Sequence, residues 1–351
     1  MPLSAQLDSK DKELLNILQQ DFPLDERPFA RLGEKVGLSG QEVIQRIRRY
    51  GDEKIVRQIS AIFDTRRLGY ASSLVAMSVP QERADKAAAI LNEHPGISHN
   101  YRRNHYFNLW FTLAVAPTSR LGLQGTVDKL HKRCRADSTR TLPALKLYKI
   151  GVYLDMTGER PPDATAGQPA YAEARRTNMP LTERQITLLR ELQKEIPLVE
   201  RPFDGWAAAA GFSPAELLQE TRGFVERGQM RRFAAVLHHR SAGFVANAMG
   251  VWKVPEKEDP DRYGAIMASF SAVSHCYRRP TYPDWPYALF SMIHGRTAGD
   301  CEKTLQAISM KTGLTEYKAL YSSKEYKKTR IQYFTHEADE WEERALGYHP
   351  A

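Results

Sequence analysis

The sequence predicts an α+β fold, a tandem duplication of a module made of a winged helix-turn-helix followed by a ferredoxin-like βαββαβ domain. Two observations predict it. Blocks of residues recur in the same order along the two halves of the chain. Within each recurrence, apolar residues at helical spacing give way to alternating strands and helices. Pro23-Leu24-Asp25-Glu26-Arg27-Pro28-Phe29 returns as Pro197-Leu198-Val199-Glu200-Arg201-Pro202-Phe203. Gly37 and Ser39 return as Gly211 and Ser213, Arg57 as Arg231, Arg66 as Arg240, and Gly69 as Gly243. Ser98-His99-Asn100-Tyr101-Arg102-Arg103 returns as Ser274-His275-Cys276-Tyr277-Arg278-Arg279. Chance does not align such blocks in one order.

Each copy opens with three short helices. Leu14, Leu15 and Leu18 form an apolar stripe, a turn follows at 23–28, and a second helix holds Leu32 and Val36. Gly37-Leu38-Ser39 makes a tight turn whose serine can cap a third helix, with Val43, Ile44 and Ile47 on one face. Leu217, Leu218 and Thr221 repeat that face. Segments 55–63 and 230–237 read as β-structure beside the helices, the wing. The βαββαβ order is then read as strand 73–79, helix 84–92, strands 96–103 and 107–115, helix 121–132 and strand 142–153. In the second copy it is 245–254, 263–270, 272–279, 287–294, 301–311 and 315–321. The domains expected are 1–60 and 181–234 for the winged parts and 61–155 and 235–335 for the ferredoxin-like parts. Residues 156–180, rich in Pro, Ala, Gly and Thr without apolar periodicity, read as a linker, and 336–351 as a tail.

Composition narrows the class. With 351 residues, 42% hydrophobic and 26% charged, the chain reads as folded protein of several compact units. No run approaches the roughly 18 apolar residues of a membrane span. The first ten residues lack the regions of a signal peptide, and three scattered cysteines fit a reducing cytoplasm and no structural zinc site. The net charge of +8 admits nucleic acid or a polyanionic small molecule. Nucleic acid is disfavoured by the third helices. In 39–54, Arg46, Arg48, Arg49 and Lys54 barely outweigh Glu42, Asp52 and Glu53. In 213–227, Glu216, Glu220 and Glu226 outweigh Arg222 and Arg227.

The clearest chemical pattern is His-x-Tyr-Arg-Arg, on a predicted strand in both copies. Alternation puts His99, Tyr101 and Arg103 on one face and Asn100 and Arg102 on the other, with His275, Tyr277 and Arg279 sharing a face in copy two. Imidazole, phenol and guanidinium together can bind a carboxylate and donate a proton; the competing reading is a solvated sheet face. A second cluster is Arg231-Arg232-Phe233 with His238-His239-Arg240. Copy one keeps Arg57 but has Asp64 and Thr65 in place of the histidines. Adjacent histidines without further ligand spacing are a weak metal signal, and no metal is expected. Trp285, in the aromatic, proline-stiffened loop 282–287, could wall a flat apolar ligand or simply pack. His294 closes the next strand as a polar terminus.

These blocks resemble the siroheme decarboxylases, enzymes with an Lrp/AsnC-like architecture. The likeness rests on 231–240 followed by Ala242-Gly243-Phe244-Val245-Ala246-Asn247-Ala248-Met249, on Val273-Ser274-His275-Cys276-Tyr277-Arg278-Arg279-Pro280, and on Trp285-Pro286-Tyr287 and Met292-Ile293-His294-Gly295. Copy one has the partner-subunit pattern in Phe63-Asp64, Leu68-Gly69-Tyr70, 98–103 and Asn108-Leu109-Trp110-Phe111. The chain looks like a fusion of two subunits. The resemblance implies loss of two ring acetates from siroheme as carbon dioxide, giving 12,18-didecarboxysiroheme, with no added cofactor and the iron tetrapyrrole as substrate. It implies His275, His239 and His99 as proton donors or orienting groups. Arg231, Arg232, Arg240, Arg278 and Arg279, with Arg57, Tyr101, Arg102, Arg103, Tyr277 and Trp285, would be the substrate-binding set. The two copies are expected to pair within the chain, with further homo-oligomerisation allowed. The competing readings are a ligand-responsive DNA-binding regulator of the Lrp/AsnC type and a silent tetrapyrrole carrier.

Overall fold

The computed structural model describes residues 7–20, 22–150, 180–237, 246–295 and 297–347. They fall into two compact units that each draw on both copies. One gathers the helix-turn-helix regions, up to Gly69 and from 180 to 237; the other holds 70–150 with 246–347.

In the first unit, copy one supplies α1 (Ser9–Gln20), α2 (Pro28–Val36), α3 (Gly40–Asp52) and strand β1 (Val56–Phe63). Ser39 caps α3 as expected: its hydroxyl accepts the Glu42 N–H while the Glu42 carboxylate accepts the Ser39 N–H. The preceding turn needs Gly37, whose φ of +65° is matched by +71° at Gly211 in the second copy. Leu14, Leu15 and Leu18 are fully buried, with Val43, Ile44 and Ile47 packed as core. Copy two supplies α6 (Glu183–Leu192), α7 (Phe203–Ala209), α8 (Pro214–Glu226) and β7 (Met230–Leu237), with Ser213 capping α8 in the same way. The wings do not fold back on their own modules. β1 and β7 pair antiparallel with each other, from Val56 opposite Leu237 to Phe63 opposite Met230. Intramolecular pairing of the copies is therefore built into this unit.

Several guanidinium groups of the third helices are engaged within the protein. Arg46 and Arg49 of α3 both point at the buried Asp11 carboxylate, at 2.5 and 2.6 Å, and Arg46 also meets Asp8. In α8, Arg222 donates to the Leu24 carbonyl, and Arg227 pairs with Glu220 at 2.6 Å.

The second unit contains β2 (Ala71–Ser78), α4 (Ala84–Asn92), β3 (Ile97–Arg103), β4 (Leu109–Val115), α5 (Gly122–Cys134), β5 (Ser138–Leu142) and β6 (Lys146–Ile150) from copy one. Copy two adds β8 (Ala246–Trp252), α9 (Pro260–Ala268), β9 (Val273–Arg278), β10 (Leu289–Gly295), α10 (Ala298–Thr312) and β11 (Tyr317–Lys328), then α11 (His336–Leu346). The strand order is β5-β2-β4-β3-β11-β8-β10-β9-β6. It contains two ferredoxin-like halves, β5-β2-β4-β3 and β11-β8-β10-β9, joined by exchanged strand ends.

Three expected elements change here. The strand expected at 142–153, of which 151–153 lie outside the described residues, is interrupted at Pro143, which has no N–H for a ladder: β5, which begins at Ser138, completes the first half, while β6 crosses to pair with β9 of the second. The strand expected at 315–321 runs on to Lys328. Its first part pairs with β8 and its second with β3. The polar run 322–328 carries no apolar alternation, so nothing local announces it as strand. The expected tail contains α11, whose Trp341 is 2% exposed in the core of the first half. The Glu342 carboxylate there accepts from the N–H groups of Arg120 and Leu121, ahead of α5.

Helices cover the outer face of each half. Leu91, Phe111 and Val127 belong to one such core, and Trp252, Ile293 and Leu305 to the other. A third core lies on the inner faces, where Phe107 and Trp110 of one half meet Val251, Trp285, Phe290 and Leu320 of the other.

The docking of α11 makes stability depend on pH. His94 is 5% exposed, its ring centroid 4.3 Å from that of Trp341, and its Nδ1 accepts the Gly96 N–H at 2.9 Å. Burial, helped by the Lys327 ammonium, pushes its pKa down from 6.5 to about 4. Folding keeps this imidazole neutral, whereas the unfolded chain protonates it near 6.5. The contribution is therefore complete above about 6.5 and is lost as pH falls towards about 4, about 3 kcal/mol in all. Urea unfolding of the second unit should weaken through this window in the wild type and less so in His94→Gln. Parallel pH dependences would remove His94 as the cause.

Candidate active site

The site is built on β3 and β9, the two strands that carry the repeated motif. Alternation sorts the side chains as expected. Asn100 faces α4, donating to the Ala88 carbonyl at 3.2 Å and to Asn92 at 3.0 Å. Its counterpart Cys276 is buried against α9 with its thiol at the Gly264 carbonyl. On the opposite, inner face, His99 stacks with Tyr101 at a centroid distance of 6.2 Å, and His275 with Tyr277 at 6.3 Å. The two copies thus present the same imidazole–phenol pair.

The imidazoles are held from behind by hydroxyls. Ser98 Oγ lies 3.0 Å from His99 Nδ1 and 2.9 Å from Thr112 Oγ1. Ser274 Oγ lies 2.8 Å from His275 Nδ1 and 2.8 Å from His294 Nε2. A hydrogen bond at Nδ1 fixes the orientation of each ring. His294, read from sequence only as a polar strand end, therefore belongs to this cluster. The signal that could have found it is the repeat: copy one has Ala114 at the matching place, since Leu109 and Leu289 align opposite Arg102 and Arg278.

The motif arginines part company. Arg102 turns to the helix side, where it meets Gln81 and, at 3.9 Å, Asp85; Arg278 turns likewise to Asp261 at 3.5 Å. Neither shares the face of its histidine, as alternation predicts for Arg102. Arg103 and Arg279 do share it, with guanidinium carbons 5.7 Å from the Tyr101 ring and 4.7 Å from the Tyr277 ring. Arg103 is 5% exposed and donates to the Leu320 carbonyl at 2.6 Å; Arg279 donates to the Leu142 carbonyl. Each ties its half to the fourth strand of the other. Burial lowers the Arg103 pKa to about 10, which leaves it charged at neutral pH. Arg279 keeps part of its surface open.

Trp285 takes the packing role of the two that its loop allowed. It is fully buried, 5.1 Å from the ring of Trp110 and 5.0 Å from that of Tyr287. His105, which sequence reading missed, meets its edge at 5.4 Å, and burial lowers the pKa of that imidazole.

In the first unit, Arg57, Arg231 and Arg232 sit exposed on the β1–β7 ribbon. Arg231 grips Asp64 through Nε and Nη2 at 3.1 and 3.0 Å. Asp64, the residue that replaces a histidine of copy two, is buried and also accepts the N–H groups of Arg66 and Arg67. His239 and Arg240 lie outside the described residues. Among the described residues, no three His, Cys, Asp or Glu side chains cluster as a metal site, and no helix is long and apolar enough to cross a membrane.

Paired helix-turn-helix units joined to paired βαββαβ halves define an Lrp/AsnC-type protein. In keeping with this, the AsnC-like ligand binding domain family matches residues 67–149 and 241–327. The siroheme decarboxylase NirDL-like HTH domain family matches 11–57 and 185–231. The siroheme decarboxylase of Hydrogenobacter thermophilus is 40% identical over 94% of this chain and 96% of its own length. The siroheme decarboxylase beta subunit of Methanosarcina barkeri is 45% identical over 42% of this chain and 96% of its own. The crystal structure of the siroheme decarboxylase NirDL in co-complex with an iron-uroporphyrin III analogue is similar with a TM-score of 0.79 and 35% identity, covering 97% of this chain and 99% of that one. The chain belongs to the siroheme decarboxylase family.

Proposed function

We propose that this protein decarboxylates siroheme, removing two ring-acetate carboxyl groups to give 12,18-didecarboxysiroheme. The observation that carries the reading is the imidazole–phenol pair His275–Tyr277, repeated as His99–Tyr101, with each imidazole held at Nδ1 by a serine. The similar NirDL structure, solved with an iron-uroporphyrin III analogue, supports a tetrapyrrole ligand.

In each step the bond between the acetate methylene and its carboxylate carbon breaks. Carbon dioxide leaves, and the electron pair remains on the methylene and spreads into the macrocycle. Transfer of a proton from His275 Nε2 to that carbon makes the methyl group. A group with a pKa near neutrality suits this, and positioned proton transfer is typically worth about 10²–10⁴-fold in rate. Tyr277 orders the imidazole by stacking. Arg279, the motif arginine on this face with surface open to a ligand, is the carboxylate partner. No cofactor beyond the substrate is required, because the macrocycle itself takes the electrons.

Anaerobic incubation with siroheme followed by mass spectrometry of the pigment tests the proposal. Loss of two carbon dioxides per macrocycle is the expected result. Siroheme bound with a spectral shift but recovered intact would make the protein a carrier. Tight, salt-sensitive binding of one operator sequence without pigment turnover would make it a regulator.

A further inference from the structure

Resting on the decarboxylation proposed above, we propose that His294 is a positioning residue that supplies His275 with its proton through the Ser274 hydroxyl. The three groups form one row, with Ser274 Oγ 2.8 Å from His294 Nε2 and 2.8 Å from His275 Nδ1. The hydroxyl also lies 3.3 Å from the Met292 carbonyl, a longer contact than either imidazole makes; with its one proton given to one imidazole, it accepts from the other. When His294 is an imidazolium, its Nε2–H donates to Ser274, whose proton then points at His275 Nδ1. His275 consequently keeps its own proton on Nε2, the nitrogen from which the proposed reaction takes it.

From that state the transfer balances. The His275 Nε2 proton goes to the carbon holding the electron pair left by carbon dioxide. The Ser274 proton moves to His275 Nδ1, and the His294 Nε2 proton moves to Ser274 Oγ. One C–H bond forms, one N–H bond is lost at His294, and the carbanion and imidazolium charges vanish together. A proton taken up from solvent acid at His275 Nε2, with the Nδ1 proton passing back to Ser274 and the serine proton back to His294, restores the starting state.

The first copy lacks this supply. Ser98 there bridges His99 to Thr112 at 3.0 and 2.9 Å, and Ala114 occupies the place of His294. A threonine hydroxyl orients an imidazole but does not gain a proton near neutral pH. The two copies are thus unequal in sequence here as well as at Asp64 and Thr65.

His294→Ala and His294→Gln, assayed anaerobically with siroheme beside the wild type, test the inference. Both should bind iron-uroporphyrin III with the wild-type absorbance shift and keep KM within a few-fold, while kcat falls about tenfold or more. Added imidazole should restore part of the kcat of the alanine variant. Glutamine, which can accept the serine hydrogen bond but carries no titrating proton, should not restore it. If the alanine variant fails to bind the iron porphyrin, the glutamine variant carries the test. Wild-type kcat in His294→Gln would overturn the inference while leaving the reaction in place. An inactive wild type would instead overturn the reaction itself.

Discussion

Replacing His275 by alanine is expected to leave tetrapyrrole binding largely intact and to slow carbon dioxide release at least about a hundredfold. The expectation follows from position. His275 shares its face with Tyr277 and is held at Nδ1 by Ser274, and the proposed reaction takes its Nε2 proton to the methylene. Binding should survive because most affinity for a large flat ligand comes from apolar walls and carboxylate partners, which the substitution leaves in place. Single-turnover decay of the siroheme spectrum, read with a separate titration of iron-uroporphyrin III, separates the two effects. An unchanged rate would take His275 out of the mechanism. His99→Ala measures what the first copy contributes.

The second large effect concerns stability. Trp285→Ala should cost about 3–5 kcal/mol, the range for emptying a buried aromatic site. The ring is fully buried between Phe107, Trp110, Tyr287 and Phe290, in the core that joins the two ferredoxin-like halves. Its indole N–H finds no acceptor among the described residues, and a buried, unsatisfied donor costs about 1–3 kcal/mol. Trp285→Phe removes that donor along with some volume, so it should lose far less than alanine. Urea unfolding followed by far-UV circular dichroism distinguishes them. Equal losses in both variants would show that filling the site with an aromatic ring is not what stabilises this core.

Much of this architecture was legible in the residues. The recurrence of Pro23–Phe29 at Pro197–Phe203 established the duplication, and Ser39 and Ser213 marked the starts of the third helices. Strict two-residue alternation correctly placed His99 with Tyr101 and Asn100 behind them, because the pleat leaves a strand side chain only two directions. Alternation also put Arg103 and Arg279 on the imidazole face. It was silent on what they would meet there, since Leu320 and Leu142, whose carbonyls they reach, are remote in sequence. Trp285 shows the same limit: an aromatic loop residue reads alike whether it walls a ligand or closes a core.

The sequence by itself determined the two modules, their order and the sorting of each strand's faces. These follow from local sterics and apolar periodicity, which act over a few neighbouring residues. Only the tertiary structure decided the partners. It paired β1 with β7, carried β6 to β9 and β11 to β3, seated Trp341 in the core, and aimed His294 at Ser274. Those choices depend on which surfaces lose most water when the halves meet and on which distant backbone groups then need partners, and no short stretch of sequence contains that information.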